Sequence, residues 1–210
     1  MTQEALLAAG VAEMGLVVSL EVQQKLLQYL SLLSKWNKVY NLTAIRDPLE
    51  MVTLHLLDSL SVLPYINAKN LLDVGSGGGL PGIVLAICQP QLKVTTIDTV
   101  QKKTIFMRQV KGELSLNNLE VVHARVELYQ PSEKFEVIIS RAFSEIPLFI
   151  KLTGHLLIDN GQWLAMKGMT PHQELAREEL KCLEVKSNKV ITLKVAGLNA
   201  ERHLVILENQ

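Results

Sequence analysis

The chain has 210 residues with 21 basic and 21 acidic side chains, a balance that excludes a protein coating nucleic acid by net charge alone. A hydrophobic content of 48% supports a full core, and no apolar run approaches the ~20 residues that span a bilayer. Residues 1–24 hold no Lys or Arg, Cys88 and Cys182 stand far apart, and the histidines lack ligand spacing. These features predict a soluble cytoplasmic protein with reduced thiols, no membrane segment and no metal.

Residues 1–66 read as an N-terminal helical extension. From Glu21 to Tyr40, Val22, Leu26, Leu27, Leu30, Leu33, Trp36 and Val39 recur at three- and four-residue steps, the apolar stripe of an amphipathic helix. The aromatic segment Trp36–Thr43 reads as core anchoring. Asp47-Pro48-Leu49-Glu50 opens a further helix with a capping residue, a first-turn proline and an acidic third position. That helix runs to Pro64, with His55 and Asp58 three apart and expected as a surface pair.

From residue 67 to 210 strands and helices alternate, which predicts a parallel α/β sheet. Strands are expected at 70–74, 93–97, 119–123, 135–139 and 162–166, and helices near 81–89, 99–114, 145–157 and 171–183. Two further strands, 185–195 and 203–208, flank Ala196–Ala200 as an antiparallel edge pair. The fold class is a doubly wound, mostly parallel seven-stranded sheet of the Rossmann-like kind.

The organising stretch is Leu71–Gly82. A short apolar strand leads into Asp73-Val74-Gly75-Ser76-Gly77-Gly78-Gly79, and Pro81 suits the first turn of the next helix. A strand, a glycine loop and a helix N-terminus form a nucleotide-binding corner. A G-x-x-x-x-G-K-[ST] loop is absent, which excludes a P-loop. Asp98 closes the next strand, 19 residues after Gly79, near the spacing at which a carboxylate meets an adenosine ribose. Capping of the following helix is its structural alternative.

Ligands in such sheets sit beyond the carboxyl ends of the strands. There the sequence places Gly75–Gly79, Asp98, the segment Ala124-Arg125-Val126-Glu127, Arg141 and Lys167. Lys102, Lys103, Arg108 and Lys111 fall on one helix without an acidic residue among 101–111, and residues 181–210 hold five basic against three acidic. Such a run on a helix is usually a solvated face, so it only permits nucleic-acid contact.

The spacing Asp73-x-Gly75-x-Gly77-x-Gly79 resembles the first motif of class I S-adenosylmethionine-dependent methyltransferases. A longer match follows from Trp36-Asn37-Lys38, Asn41-Leu42-Thr43, Asp58-Ser59, Asp73–Gly82 with its Gly79-Leu80-Pro81-Gly82 extension, Ser140-Arg141-Ala142-Phe143, Lys167-Gly168 and Glu201-Arg202-His203. Over nearly its whole length the chain resembles the bacterial small-subunit (16S) ribosomal RNA guanine-N7 methyltransferases, once called glucose-inhibited division protein B. Ala200 stands where that family often has glycine.

The resemblance implies S-adenosyl-L-methionine as cofactor, small-subunit ribosomal RNA or the ribosomal subunit as partner, and residues 67–210 as the cofactor-binding domain. It implies cofactor contacts at Gly75, Leu80, Val126, Glu127 and Arg141, to which the residue reading adds Asp73, Gly77, Gly79 and Asp98. Arg141 and Lys167 are expected to position substrate without a general base. Lys102, Lys103, Arg108, Lys111, Arg202 and His203 are candidates for RNA contact. A methyltransferase acting on protein or a small molecule would share every cofactor residue, and a nucleotide-sensing module would keep only the glycine loop.

Overall fold

The computed structural model describes residues 1–169, 174, 183 and 185–209, the side chains of 186–188 excepted. The expected helix at 171–183, with Cys182, lies outside the described residues. Helix α1 (Gln3–Glu13) is capped by Thr2, whose hydroxyl accepts from Ala5 N. Helix α2 (Leu20–Tyr40) is capped by Ser19 and ends at Asn41 in the left-handed region. Its buried face is Leu26, Tyr29, Leu30, Leu33 and Asn37, while Val39 is exposed. Each buried leucine contributes roughly 1.5–3 kcal/mol.

The next segment departs from one continuous helix. Asp47 caps α3 (Pro48–Met51) through bonds from Leu49 N and Glu50 N. The chain then widens into a π turn, Val52–Leu57, before α4 (Asp58–Leu60). Such turns cluster at functional sites because they re-aim side chains within a helix. Here the turn faces inward, and His55 and Asp58 are both buried. The surface reading of that pair is therefore corrected: polarity at i,i+3 was legible, but not that the helix packs against the sheet.

The sheet comprises β1 (Asn70–Val74), β2 (Lys93–Asp98), β3 (Leu119–His123), β4 (Phe135–Arg141), β5 (Leu157–Lys167), β6 (Val185–Thr192) and β7 (His203–Asn209). Their order is β3-β2-β1-β4-β5-β7-β6, parallel except for β7, which runs antiparallel between β5 and β6. Helices α5 (Gly82–Cys88), α6 (Gln101–Glu113) and α7 (Ile146–Thr153) make the connections. Strand β5 begins five residues before the expected start. The helix expected at 145–157 ends at Thr153 and is followed by a 3₁₀ turn, Gly154–Leu156.

Two apolar cores lie on the two faces of the sheet. One joins Leu7, Leu30 and Leu57 of the N-terminal segment to Ile83, Phe106 and Leu204. The other gathers Leu72, Ile138, Phe149 and Trp163. The helical extension thus shares its interior with the sheet, and α1 touches the π turn closely enough that a Cβ at Gly10 would meet Leu57 Cδ1 at 2.5 Å.

Candidate active site

The strand order reverses between β1 and β4, and the ligand crevice of an open α/β sheet opens at such a point. The loop leaving β1 is tied down by backbone bonds: Gly75 N donates to Ile97 O at 2.9 Å, and Gly79 N to Ser76 O at 2.8 Å. Gly75, Gly77 and Gly79 have φ of +68°, +59° and +92°. Glycine suits these positions because a Cβ is disfavoured there. A Cβ on Gly75 would also sit 2.8 Å from the Phe143 ring.

Asp73 lies behind this loop. Its carboxylate is completely buried, and Oδ2 accepts from Gly82 N at 2.9 Å, pinning the start of α5. Oδ1 has no partner among the described residues. Burial pushes the Asp73 carboxyl up to about 7, against the lowering effect of the Gly82 bond. The Gly82 bond gives Asp73 a loop-holding role alongside the expected cofactor contact. Pro81 stands at the capping position and α5 begins at Gly82.

Asp98 does face the crevice. Oδ2 accepts from Gly77 N at 2.9 Å and Oδ1 from Val100 N at 2.8 Å, with Lys103 Nζ 3.8 Å away. An ionised carboxylate has about four acceptor sites, so two backbone bonds leave capacity for a ligand. The Val100 bond orders the entry to α6, as the helix-capping alternative expects. The crevice, about 410 Å³, is walled by Val74, Ile97, Val126, Phe143 and Leu152, and Glu127 and Arg125 stand at its rim. Arg125 Nε donates to Glu127 Oε1 at 2.7 Å; that bond and a backbone one hold the Glu127 carboxyl below its ordinary value.

Two further hollows adjoin the crevice. One of about 250 Å³ runs under the glycine loop, lined by Leu33, Thr43, His55, Leu80, Lys103 and Arg141 among others. The other, about 430 Å³, is bordered by Leu54, His55, Asp58, Arg141, Lys167, Arg202 and His203. Ala142, with φ +56°, borders all three. A left-handed alanine is uncommon and marks a constrained backbone.

The third hollow sets charged side chains among apolar ones such as Ile45, Met166 and Leu193. Asp58 Oδ2 accepts from Arg141 Nη1 at 3.0 Å and Oδ1 from Arg202 Nε at 2.9 Å. Leu54 O, on the π turn, also takes Arg141 Nη1 at 3.0 Å. Lys167 Nζ donates to Ser144 O at 2.9 Å and to Glu174 Oε2 at 2.9 Å. His203 Nδ1 lies 3.0 Å from Gly168 O. Nearby, His55 Nε2 lies 3.0 Å from Thr43 Oγ1, and Asn37 receives Thr43 N at 2.9 Å. Burial, with Arg141 beside it, pulls His55 down to about 4, so its imidazole is uncharged at neutral pH.

Arg141, Lys167, Arg202 and His203 are thus brought together. The four cations of α6 are not. Lys102 bonds Tyr40 O at the end of α2, Lys103 turns into the crevice, and Arg108 reaches Val121 O on β3. Lys111 borders a hollow of about 680 Å³ with Asn70, Lys93 and Glu120, at the opposite, amino end of the strands. Helical spacing put them on one element but on different faces. Sequence reasoning paired His55 with Asp58 but placed them on the surface, and it gave no site role to Phe143 or Tyr29; Tyr29 donates its hydroxyl to Gly78 O at 2.7 Å. The signal for Phe143 lay in a segment quoted for the resemblance, and that for Tyr29 in its place beside Leu26 and Leu30 on one helix.

Among the described residues no group of three His, Cys, Asp or Glu could hold a metal ion, and no helix is long and apolar enough to cross a membrane. Residues 22–205 match the family model described as rRNA small subunit methyltransferase G. A ribosomal RNA small subunit methyltransferase G from Methylobacillus flagellatus is 60% identical over 96% of both chains. Its namesake from Laribacter hongkongensis is 51% identical over 96% of both. Among solved structures, an O-methyltransferase from Bacillus cereus in complex with SAH aligns over 100% of both chains at 17% identity and a TM-score of 0.61. The N-methyltransferase NodS from Bradyrhizobium japonicum, in complex with S-adenosyl-l-homocysteine, aligns over 84% of this chain and 98% of its own at 11% identity, with a TM-score of 0.58. Those two show the shared fold, and the family follows from the closer relatives: the chain belongs to the rRNA small subunit methyltransferase G family.

Proposed function

We propose that the protein transfers a methyl group from S-adenosyl-L-methionine to N7 of a guanine in small-subunit ribosomal RNA, in the cytoplasm. The observation that carries this reading is the meeting of three hollows at Ala142 in a chain of this family. A crevice with apolar walls and two carboxylates, Asp98 and Glu127, suits adenosine, and a hollow beyond it bordered by Arg141, Lys167 and Arg202 suits RNA.

The residues fit the cofactor. Asp98 keeps free acceptor capacity toward a ribose, Val126 and Ile97 supply apolar walls, and the positive-φ glycines admit a ligand close to the backbone. Gly75 and Glu127 border that crevice, and Leu80 and Arg141 border the adjoining hollow under the glycine loop. When bound, S-adenosylmethionine supplies an electrophilic methyl group, which N7 takes as the carbon–sulfur bond breaks. Guanine N7 already has its lone pair at neutral pH, so no side chain must remove a proton. The chain's own work is positioning, which contributes up to about 7–11 kcal/mol in well-oriented reactions. Arg141 and Lys167 hold the substrate, and an arginine fork meets guanine O6 or a phosphate more selectively than an ammonium. The uncharged His55 adds no positive charge beside a base that becomes cationic on methylation.

The test incubates the protein with labelled methyl donor and either small ribosomal subunits, bare RNA or deproteinised cell extract. Label is expected in RNA and, after digestion, in N7-methylguanosine. Label recovered only in protein or in small molecules would overturn the reading in favour of another methyltransferase.

A further inference from the structure

Asp58 has two guanidinium partners, from residues 83 and 144 positions further along the chain. Its side chain is 4% exposed, and the π turn beneath it also presents Leu54 O to Arg141. Only one N–H of each arginine is spent on Asp58. Arg141 Nε and Nη2, and Arg202 Nη2, have no acceptor among the described residues. Both arginine side chains remain about one-quarter exposed, toward the hollow that His55 and Lys167 also border. A pair of guanidinium edges held at a fixed separation suits the oxygens of a phosphate, which arginine recognises in bidentate fashion.

Building on the RNA reading above, we propose that Asp58 is a positioning residue that locks Arg141 and Arg202 into a two-arginine clamp for a phosphodiester group flanking the target guanine. The carboxylate fixes which N–H edges face the hollow. It also keeps the Arg141 and Arg202 guanidinium groups from repelling one another when no RNA is present, while Lys167 has Glu174 as its own counter-ion. Arg202 thereby acquires a direct role in RNA grip, and Asp58 acts through both arginines.

The sign of the Asp58 effect separates this arrangement from simple charge neutralisation. Asp58→Asn removes a negative charge, so if charge alone mattered RNA would bind more tightly. The amide has one acceptor instead of two, and its NH2 faces a guanidinium. With Asp58 as positioner, kcat/KM for small-subunit RNA falls at least tenfold despite the added positive charge. Arg202→Gln, at a partly exposed site, is the second variant. Its RNA affinity drops and its salt dependence flattens by about one unit of slope, as for the loss of one phosphate contact. Calorimetric affinity for S-adenosylmethionine stays unchanged in Arg202→Gln. Because the two residues act as a unit, the double variant is no worse than the poorer single. Tighter RNA binding with normal turnover in Asp58→Asn, an unaltered salt slope in Arg202→Gln, or additive losses in the double variant would each overturn the clamp. A wild-type protein that neither binds nor methylates RNA would instead remove the underlying reading, and the clamp with it.

Discussion

Two buried titratable residues flank the glycine loop and pull stability in opposite directions with pH. Asp73 has a folded value raised from 3.8 to about 7 by burial, with Asp98 adding to it and Arg141 opposing. Between those values the native state keeps a proton that the unfolded chain has lost. Stability therefore falls as pH rises from about 4 to 7, by roughly 1.4 kcal/mol per unit, and levels off above. His55 is the reverse case, lowered from 6.5 to about 4. Below 6.5 the unfolded chain takes a proton that the native state refuses, so stability falls as pH drops from 6.5 toward 4. Over that shared window the two slopes cancel. Asp73→Asn keeps an acceptor for Gly82 N, and its stability advantage over wild type should grow as pH rises from 4 to 7 and then hold. His55→Gln should gain on wild type as pH drops through 6.5. Urea unfolding across the pH range measures both, and parallel curves for variant and wild type would contradict the assignment. Asp98 stands apart from these two because it opens on the crevice. Asp98→Ala should weaken S-adenosylmethionine binding by about 1.5–3 kcal/mol, the range for hydrogen bonds to a charged group, as read by calorimetry.

At the scale of elements, α2 and the glycine loop behave as one piece. Tyr29 is fully buried, its hydroxyl ends on Gly78 O, and Leu33 Cδ1 would lie 3.2 Å from a Cβ on Gly78. Tyr29→Phe leaves a buried carbonyl without its donor, which costs about 1–3 kcal/mol. Urea unfolding should show that loss, and cofactor affinity should drop with it because the loop is no longer braced from below. The same contact shows where sequence reading stops. Strands β1 to β4 were legible because short apolar runs, each closed by a glycine turn or a charged residue, repeat with helix-length spacing. The apolar stripe of α2 was legible at 3.6 periodicity through Leu26, Leu30 and Leu33, though Val39, its last expected member, is exposed. What lay beyond reach was the use of long-range partners. Nothing in the local pattern at Asp58 says that Arg141 and Arg202 will arrive beside it, and nothing in the motif at Asp73 says that its carboxylate will hold Gly82 N. The α6 lysines mislead for the converse reason: proximity in sequence put together side chains that the fold sends to α2, the crevice and the amino end of the sheet.

Across the whole molecule the question is whether the helical segment 1–66 is a separate unit or part of one cooperative body. Its apolar residues belong to the same core as α5, α6 and β7: Leu7, Leu30 and Leu57 share a cluster with Ile83, Phe106 and Leu204. A boundary through such a core would expose apolar surface on both sides, at roughly 25 cal/mol per Å². Folding should accordingly be all-or-none. The two tryptophans report on opposite faces of the sheet. Trp36 on α2 stands 5.6 Å from the Phe106 ring, and Trp163 on β5 is buried in the other core with its indole N–H on Thr153 Oγ1 at 2.9 Å. Trp163→Phe leaves Trp36 as the single fluorescent probe, and Trp36→Phe leaves Trp163. In urea each variant should show a fluorescence midpoint that coincides with its own far-ultraviolet circular dichroism midpoint. The Trp163→Phe protein should unfold earlier, since it leaves the Thr153 hydroxyl without that donor. Separate fluorescence and dichroism midpoints in the Trp163→Phe protein would mean that the N-terminal helices unfold on their own, and that the chain divides near residue 66 after all.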